Sequence, residues 1–264
     1  MRVSVIITTY NQPGQLEKVL WGYANQSARG FEIIVADDGS ADETTSMINR
    51  FCETSMLDLV HIRHEHRGFR KTEILNRAIV ASTGEYLIFS DGDCIPRGDF
   101  VATHARLAGP GAFLSGGYLK LPREVSERIG IDDVRSGNAT NAGWLRQQGW
   151  RPGKRALRLV RSNALGTLLD RVTPTRRTWN GHNSSTWKSM LIAVNGFDME
   201  MGYGGEDRAL GERLMNADIR GRQIRYRAPC LHLYHERPYD SRVSWERNYE
   251  VRRRIRANRE TRAR

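Results

Sequence analysis

Apolar and polar positions change in blocks along the first hundred residues, and the blocks have strand and helix lengths in turn. Val3-Ser4-Val5-Ile6-Ile7-Thr8-Thr9 is a run of β-formers that predicts a buried strand. A loop, Tyr10-Asn11-Gln12-Pro13-Gly14, follows, and Pro13 suits a helix start. Leu16, Val19, Leu20 and Tyr23 then recur at helical spacing. Phe31 to Ala36 predicts a second strand, ending in Asp37-Asp38-Gly39-Ser40, with a helix capped near Ser40 or Asp42 after it. Leu57 to Ile62 is a short third strand. Ile74, Leu75, Ala78 and Ile79 mark one face of a helix within 69–82. Tyr86 to Phe89 is the next apolar run, and it stops at Asp91-Gly92-Asp93-Cys94.

Strands alternating with helices through short connections predict a doubly wound, mainly parallel sheet. Ligands of such sheets bind beyond the carboxyl ends of the strands. Two of the runs end there in acids. Asp91 and Asp93, one glycine apart, repel each other unless a cation lies between them, and a hard divalent ion such as Mg2+ or Mn2+ suits oxygen ligands. The same triplet is also an ordinary turn sequence. No glycine-rich dinucleotide or ATP loop follows the first strand.

The second half is less regular. Residues 111–121 predict one more strand. Residues 122–178 are polar, Arg-rich and broken by Gly and Pro, which predicts an insertion of short helices and loops. Order returns at Trp179 to Trp187, followed by a short helix over 188–194. Glycine-rich connections come next at Gly196-Phe197-Asp198 and Gly202-Tyr203-Gly204-Gly205. A helix starts at Glu206-Asp207, and a strand over 222–227 leads to His232-Leu233-Tyr234-His235-Glu236. Glu206 and Asp207 also suit simple stabilisation of a helix N-terminus.

Charge sharpens this layout. The chain of 264 residues carries a net +11. Residues 122–178 hold 12 Lys/Arg against 5 Asp/Glu, and residues 237–264 hold 10 against 4. The excess therefore belongs to two segments, nearly all of it arginine, the side chain suited to bidentate phosphate contacts. Trp245, Tyr249, Arg252 and Arg256 share about one helical face, with Val251 and Ile255 close by. Two readings stay open for this tail: a helix packed on the domain, or peripheral attachment to an anionic membrane. No apolar run is long enough to span a bilayer, and with a strand starting at Val3 no signal peptide is expected. Three cysteines without a Cys-x-x-Cys pair suit a reducing compartment, so a cytoplasmic location is expected.

Several stretches together carry a resemblance. They are Val5-Ile6-Ile7-Thr8-Thr9-Tyr10-Asn11, Val35-Ala36-Asp37-Asp38-Gly39-Ser40, Lys71-Thr72-Glu73-Ile74-Leu75-Asn76-Arg77-Ala78 and Asp91-Gly92-Asp93. In order and spacing they resemble glycosyltransferase family 2, the inverting nucleotide-sugar enzymes of the GT-A fold. Asn195-Gly196-Phe197-Asp198 and Gly202-Tyr203-Gly204-Gly205-Glu206-Asp207 look like the C-terminal galactosyltransferase-type segment of β-1,4-galactosyltransferases and bacterial chondroitin-type polymerases. The implied fold is α/β, with a Rossmann-like, mainly parallel central sheet, helices on both faces and a small acceptor-side sub-domain. The expected layout is a nucleotide-sugar-binding part over 1–121, the Arg-rich insertion over 122–178 and a catalytic, acceptor-binding part over 179–239. A basic helix and tail over 240–264 complete it.

The resemblance also implies roles. Thr9, Tyr10 and Asp38 would contact the nucleoside, and Arg70 and Lys71 the diphosphate, where a helix start and cations both favour anions. Asn76 is expected to hold a loop rather than touch substrate. Asp91 would face the sugar or ribose, and Tyr203 would pack on donor or acceptor sugar. Asp93 would ligate the cation with His235, and His232 is the other candidate. Imidazole beside carboxylate favours Mn2+ over Mg2+. Asp207 would be the general base, with Glu206 binding acceptor hydroxyls. The implied partners are a UDP-sugar and a glycan or lipid-linked acceptor. Two rivals fit less well. A nucleotidyltransferase would place a glycine-rich phosphate loop where Thr9-Tyr10-Asn11-Gln12-Pro13 stands. For a nucleic-acid binder, the acids at 37–38, 91–93 and 206–207 would repel phosphate.

Overall fold

The computed structural model describes residues 1–236 and 242–263. The strands are β1 (Val3–Thr9), β2 (Glu32–Asp37), β3 (Asp58–Arg63), β4 (Tyr86–Asp91) and β5 (Cys94–Pro96). Then come β6 (Ala112–Ser115), β7 (Gly117–Lys120), β8 (Ser184–Trp187), β9 (Arg220–Gln223) and β10 (Pro229–His232). The helices are α1 (Pro13–Ala24), α2 (Asp42–Thr54), α3 (Lys71–Ala81), α4 (Phe100–Leu107), α5 (Arg123–Arg128) and α6 (Ile131–Arg135). They continue with α7 (Ala142–Gln147), α8 (Asn163–Val172), α9 (Lys188–Ala193), α10 (Glu206–Asn216) and α11 (Arg242–Asn258).

A seven-stranded sheet runs in the order β3-β2-β1-β4-β8-β6-β9. Pairs β1/β2, β1/β4, β2/β3 and β6/β9 are parallel, and β8 is antiparallel to both its neighbours. Strand β1 is buried throughout, because helices cover both faces. Its alternate side chains separate two cores. Val5 and Ile7 pack with Leu16, Val19 and Leu20 of α1 and Met47 and Phe51 of α2. Ile6 points the other way, with Ile74, Leu75 and Ala78 of α3 and Leu210 and Leu214 of α10. A second sheet, β5-β10-β7, stands beside the edge where β4 ends.

The segment over 122–178 divides in two. Val125, Ile129, Val134, Leu145 and Trp150 are buried in the same core as α1, so its first half packs as part of the main body. Arg158 and residues 175–178 instead border a cleft beside Asp207. The single strand expected over 111–121 is two, β6 and β7, split at Gly116 and assigned to different sheets. The strand expected over 222–227 begins earlier and ends at Gln223.

Asn76 is the loop anchor expected of it. Its Nδ2 donates to the Phe197 carbonyl at 2.9 Å, and its Oδ1 accepts the Phe197 N–H at 2.8 Å. Arg213, fully buried, donates to the Gly196 carbonyl and lies 3.9 Å from Asp198. Those bonds join the Asn195-Gly196-Phe197-Asp198 turn to α3 and α10, and so position the start of α10.

The tail packs on the domain. Val251 and Ile255 of α11 form a buried patch with Met201 and Ala209. Arg252 reaches Glu212 at 2.6 Å and Arg256 reaches the same carboxylate at 3.5 Å. The protein itself therefore occupies the arginine part of the face that membrane attachment would use, while Trp245 and Tyr249 are 42% and 59% exposed. The boundary expected at 239/240 lies outside the described residues.

Candidate active site

Parallel register brings the ends of β1, β2 and β4 to one edge. Thr9 pairs with Asp37, and Thr8 with Asp91. Beyond that edge lies a cleft of about 410 Å3. Thr9, Tyr10, Asp38, Lys71, Asp91, Asp93, Tyr203, His232 and His235 all line it.

At one end Tyr10 stacks on His66, with ring centroids 5.0 Å apart. The Asp38 carboxylate meets the His64 ring at 2.7 Å and accepts the Arg70 backbone N–H at 3.1 Å. Burial nonetheless raises its pKa above the usual carboxylate value. Thr9 Oγ1 is buried with no hydrogen-bond partner among the described residues. Arg70, expected at the diphosphate, is turned away from the cleft here. Its guanidinium forks onto Glu73 at 2.8 and 2.5 Å, one turn along α3, and it does not line the cleft.

In the middle, Asp91 accepts Thr8 Oγ1–H at 2.6 Å and a Lys71 ammonium bond at 2.8 Å. Burial alone would raise this carboxyl's pKa, but the Lys71 charge, with His182 and the hydrogen bonds from Lys71 and Thr8 adding to it, outweighs burial and holds it well below the usual range. The same pairing, with Glu206 and Asp207 adding to it, overcomes burial and keeps Lys71 cationic. Lys71 is thus tied to Asp91. Gly92 leaves little room between the two acids: its N–H donates to the Thr8 carbonyl at 2.7 Å, and a Cβ would lie a tight 3.0 Å from that oxygen.

At the far end the second sheet supplies two histidines. The antiparallel β5/β10 ladder sets His232 opposite Cys94, and the Leu233 N–H donates to the Asp93 carbonyl at 2.8 Å. His235 Nε2 lies 2.9 Å from Asp93 Oδ2 and His232 Nε2 3.7 Å from it. Burial opposes ionisation of Asp93, whereas His235 and His232, when protonated, lower its pKa overall. Each imidazole has its Nδ1 on a backbone carbonyl, of Leu233 and of Glu236. A carbonyl partner puts the proton on Nδ1 and leaves Nε2 with its lone pair. Two lone pairs then face one carboxylate, an arrangement that either a metal cation or imidazolium protons can satisfy. Oxygen and imidazole donors fit Mn2+ or Mg2+, with imidazole favouring Mn2+. Cys94 Sγ lies near the same atoms, within the 4.8 Å that groups Asp93, Cys94 and His232. Burial pushes its thiol well up, so it stays protonated and donates to Asp93 Oδ1 at 3.2 Å. Cys94 supports the carboxylate and is a poor ligand for a hard ion.

Helix α10 begins at the opposite wall, behind Gly204 at φ 104° and Gly205 at φ 89°. Asp207 Oδ2 accepts the Gly181 N–H at 3.1 Å. A Cβ on Gly181 would lie 3.6 Å from Lys71 Nζ, 3.9 Å from Asp91 Oδ1 and 4.0 Å from Asp207 Cβ, so these three side chains converge on one point. Beyond Asp207 opens a second cleft of about 860 Å3. Glu206 points inward, accepting the Gly204 N–H at 3.0 Å. Burial, and then the charge of Asp207, raise its pKa to about 7.

That shift makes a stability prediction. The folded protein holds the Glu206 proton up to about pH 7, whereas the ordinary value is 4.5. Through that window the folded state binds more protons, so stability falls as pH rises, by up to about 3 kcal/mol. Glu206→Gln removes the titration. Urea unfolding across pH 4 to 8 is expected to give equal stability to both proteins at the acid end and a growing advantage to the variant towards pH 8. Parallel curves would show that the carboxyl is not raised.

Four contributors were not singled out from sequence: Thr8, His64, His66 and His182. His182 packs edge-on against Tyr118 at 4.5 Å, and burial pushes its pKa down to about 4. It stands beside Asp91 and Asp207, but its stretch carries no spacing signal. The glycine loop over 202–205 is strapped from behind. Asn248 Nδ2 donates to the carbonyls of Gly202, Tyr203 and Gly204 at 2.8, 3.1 and 2.9 Å, and Ser244 donates to that of Tyr203. Tyr203 meets Phe69 edge-on at 5.7 Å.

Residues 4–112 match the profile of glycosyl transferase family 2, and residues 173–236 match that of the N-terminal domain of galactosyltransferase. The part of the chain that forms the β1, β2 and β4 edge is thus similar to glycosyltransferase family 2. Validoxylamine A glucosyltransferase of Streptomyces hygroscopicus subsp. jinggangensis is 27% identical over 252 residues, covering 92% of this chain and 58% of that protein. The chain thus spans little more than half of this relative. S. aureus TarS 1–349 in complex with UDP-GlcNAc superposes with a TM-score of 0.67 at 18% identity, covering 98% of this chain and 66% of the other. A mannosyltransferase from Pyrobaculum calidifontis in complex with GDP-Man and Mn2+ gives 0.60 at 22% identity, covering 98% and 62%. These likenesses establish the GT-A fold. Among the described residues no helix is long and apolar enough to cross a membrane.

Proposed function

We propose that this chain is an inverting, metal-dependent glycosyltransferase of family 2. It moves a hexose or N-acetylhexosamine from a UDP-sugar to a hydroxyl of a glycan or lipid-linked acceptor. The observation that carries this reading is the convergence of Asp91, Lys71 and Asp207 between two clefts, one of which ends at Asp93, His232 and His235.

Thr9, Tyr10 and Asp38 hold the nucleoside, with His66 extending the aromatic floor. Asp91 faces the ribose or sugar, and Lys71 keeps it ionised. Tyr203 packs on the sugar. Asp93 and His235 hold the divalent cation, with His232 beside them. When bound, the cation supplies positive charge to the departing diphosphate. Asp207 takes the proton from the acceptor hydroxyl as that oxygen bonds to the anomeric carbon. The bond from that carbon to the diphosphate oxygen breaks, and UDP leaves from the opposite face. Glu206, expected to bind acceptor hydroxyls, is buried behind Asp207 and lines neither cleft; holding its own proton near neutral pH, it leaves the base role to Asp207.

The reading is supported by the UDP-GlcNAc and the GDP-Man with Mn2+ in the two structural neighbours. A panel of UDP- and GDP-sugars, assayed for nucleotide release with and without Mn2+, tests it. UDP release that needs the metal is expected. Full turnover in excess chelator would overturn the metal dependence, and pyrophosphate as the released product would point to nucleotidyl transfer.

A further inference from the structure

The cleft beyond Asp207 is strongly cationic. Arg158, Arg176, Arg177, Arg208 and Arg225 line it, and among the described residues none of the five makes an ion pair. The acid opposite them, Glu212, is already held by Arg252 and Arg256, which also border the cleft. Asp207 is then the remaining carboxylate on this wall. Such a surplus is costly, because like charges repel and go unneutralised. Burial, together with neighbouring Arg225 and Arg155, depresses the pKa of Arg158.

The surplus is built into the fold. Arg158 donates to the Tyr118 carbonyl and lies over the Tyr118 ring at 5.7 Å. Arg225 Nη1 donates to Thr175 Oγ1 at 2.7 Å. Gln223 holds the Arg176 carbonyl at 3.0 Å and Ser115 the Thr178 carbonyl at 2.7 Å, so the arginine-bearing strand of chain is pinned along β9 and β6. None of the five arginines lines the cleft that holds Asp93, His232 and His235, so they are not placed for the donor diphosphate.

We infer that the acceptor is an acidic saccharide, carrying phosphate or carboxylate groups near the hydroxyl that Asp207 deprotonates. This rests on the reading of Asp207 as the base of a sugar transfer. Guanidinium groups pair with either anion through two parallel N–H bonds. Several of them along one wall discriminate charged from neutral saccharides, and the discrimination is screened by salt over a Debye length of about 8–10 Å.

Calorimetry on the full chain with UDP and Mn2+ present tests the inference without relying on turnover. The probes are trigalacturonate, a maltotriose phosphomonoester and neutral maltotriose. At least one acidic probe is expected to bind about 10-fold or more tightly than the neutral one, with the margin shrinking as salt rises. Which of the two does so separates carboxylate from phosphate recognition. Arg176→Glu with Arg177→Glu, both exposed positions, is expected to remove the margin. Equal binding of all three probes, or a margin that survives the double reversal, would overturn the inference. Nucleotide release from the donor panel is read separately. Its failure alongside selective acid binding would reject the transferase reading while leaving an anion-binding cleft.

Discussion

Asp207→Asn is expected to lower the rate of sugar transfer by about 100-fold or more, in line with the contribution of a positioned general base. The substitution keeps the size of the side chain and an oxygen for the Gly181 N–H, which Asp207 Oδ2 now accepts at 3.1 Å. What it removes is the capacity to take a proton. UDP affinity is expected to change little, because Asp207 borders the second cleft and does not line the donor cleft. Glu206→Gln separates the pair. Glu206 is buried and raised to about 7, so it is a weaker candidate for an anionic base at neutral pH. Single-turnover rates for both variants decide the matter. An active Asp207→Asn beside an inactive Glu206→Gln would reverse the two roles.

The parts of the fold that could be read in the sequence are those where burial is apolar and local. Strands β1, β2 and β4 are runs of β-formers that end abruptly in acids, and parallel pairing turns the three ends into one edge. Strand β8 hides from such reading because its buried groups are hydroxyls. Ser185 meets Tyr86 and His104, each at 2.7 Å, and Thr186 donates to the Ala112 carbonyl at 3.2 Å. Every one of those partners is distant in the chain, so no local pattern announces the strand. Strand β10 is four residues long, Pro229–His232, yet it carries His232 to Asp93 and sets the path to His235. The polar composition of 122–178 concealed core residues such as Leu145 and Trp150, which short helices space irregularly. At Arg70 a local partner competes with the expected ligand. The arginine's place at the start of α3 suggested an anion site, but Glu73 lies one turn ahead and neutralises it first.

Asp93→Ala is expected to abolish the metal-dependent binding of UDP and to weaken Mn2+ binding by about 100-fold or more, at least the loss that removing a supporting partner can cause. Asp93 is 7% exposed and stands between two imidazoles whose Nε2 atoms both face it. Asp91 cannot replace it, because Lys71 holds that carboxylate at 2.8 Å and Thr8 at 2.6 Å. Deleting Asp93 leaves two neutral nitrogen donors and no charge to offset the dehydration of a divalent ion. Mn2+ titration followed by electron paramagnetic resonance reads the affinity without any substrate. The same titration on His235→Ala and His232→Ala ranks the two histidines, with the larger loss expected for His235, which lies nearer to Asp93. An Asp93→Ala protein that keeps its Mn2+ affinity would place the metal elsewhere in the cleft. A larger loss at His232 would exchange the two ligands and leave the carboxylate in its role.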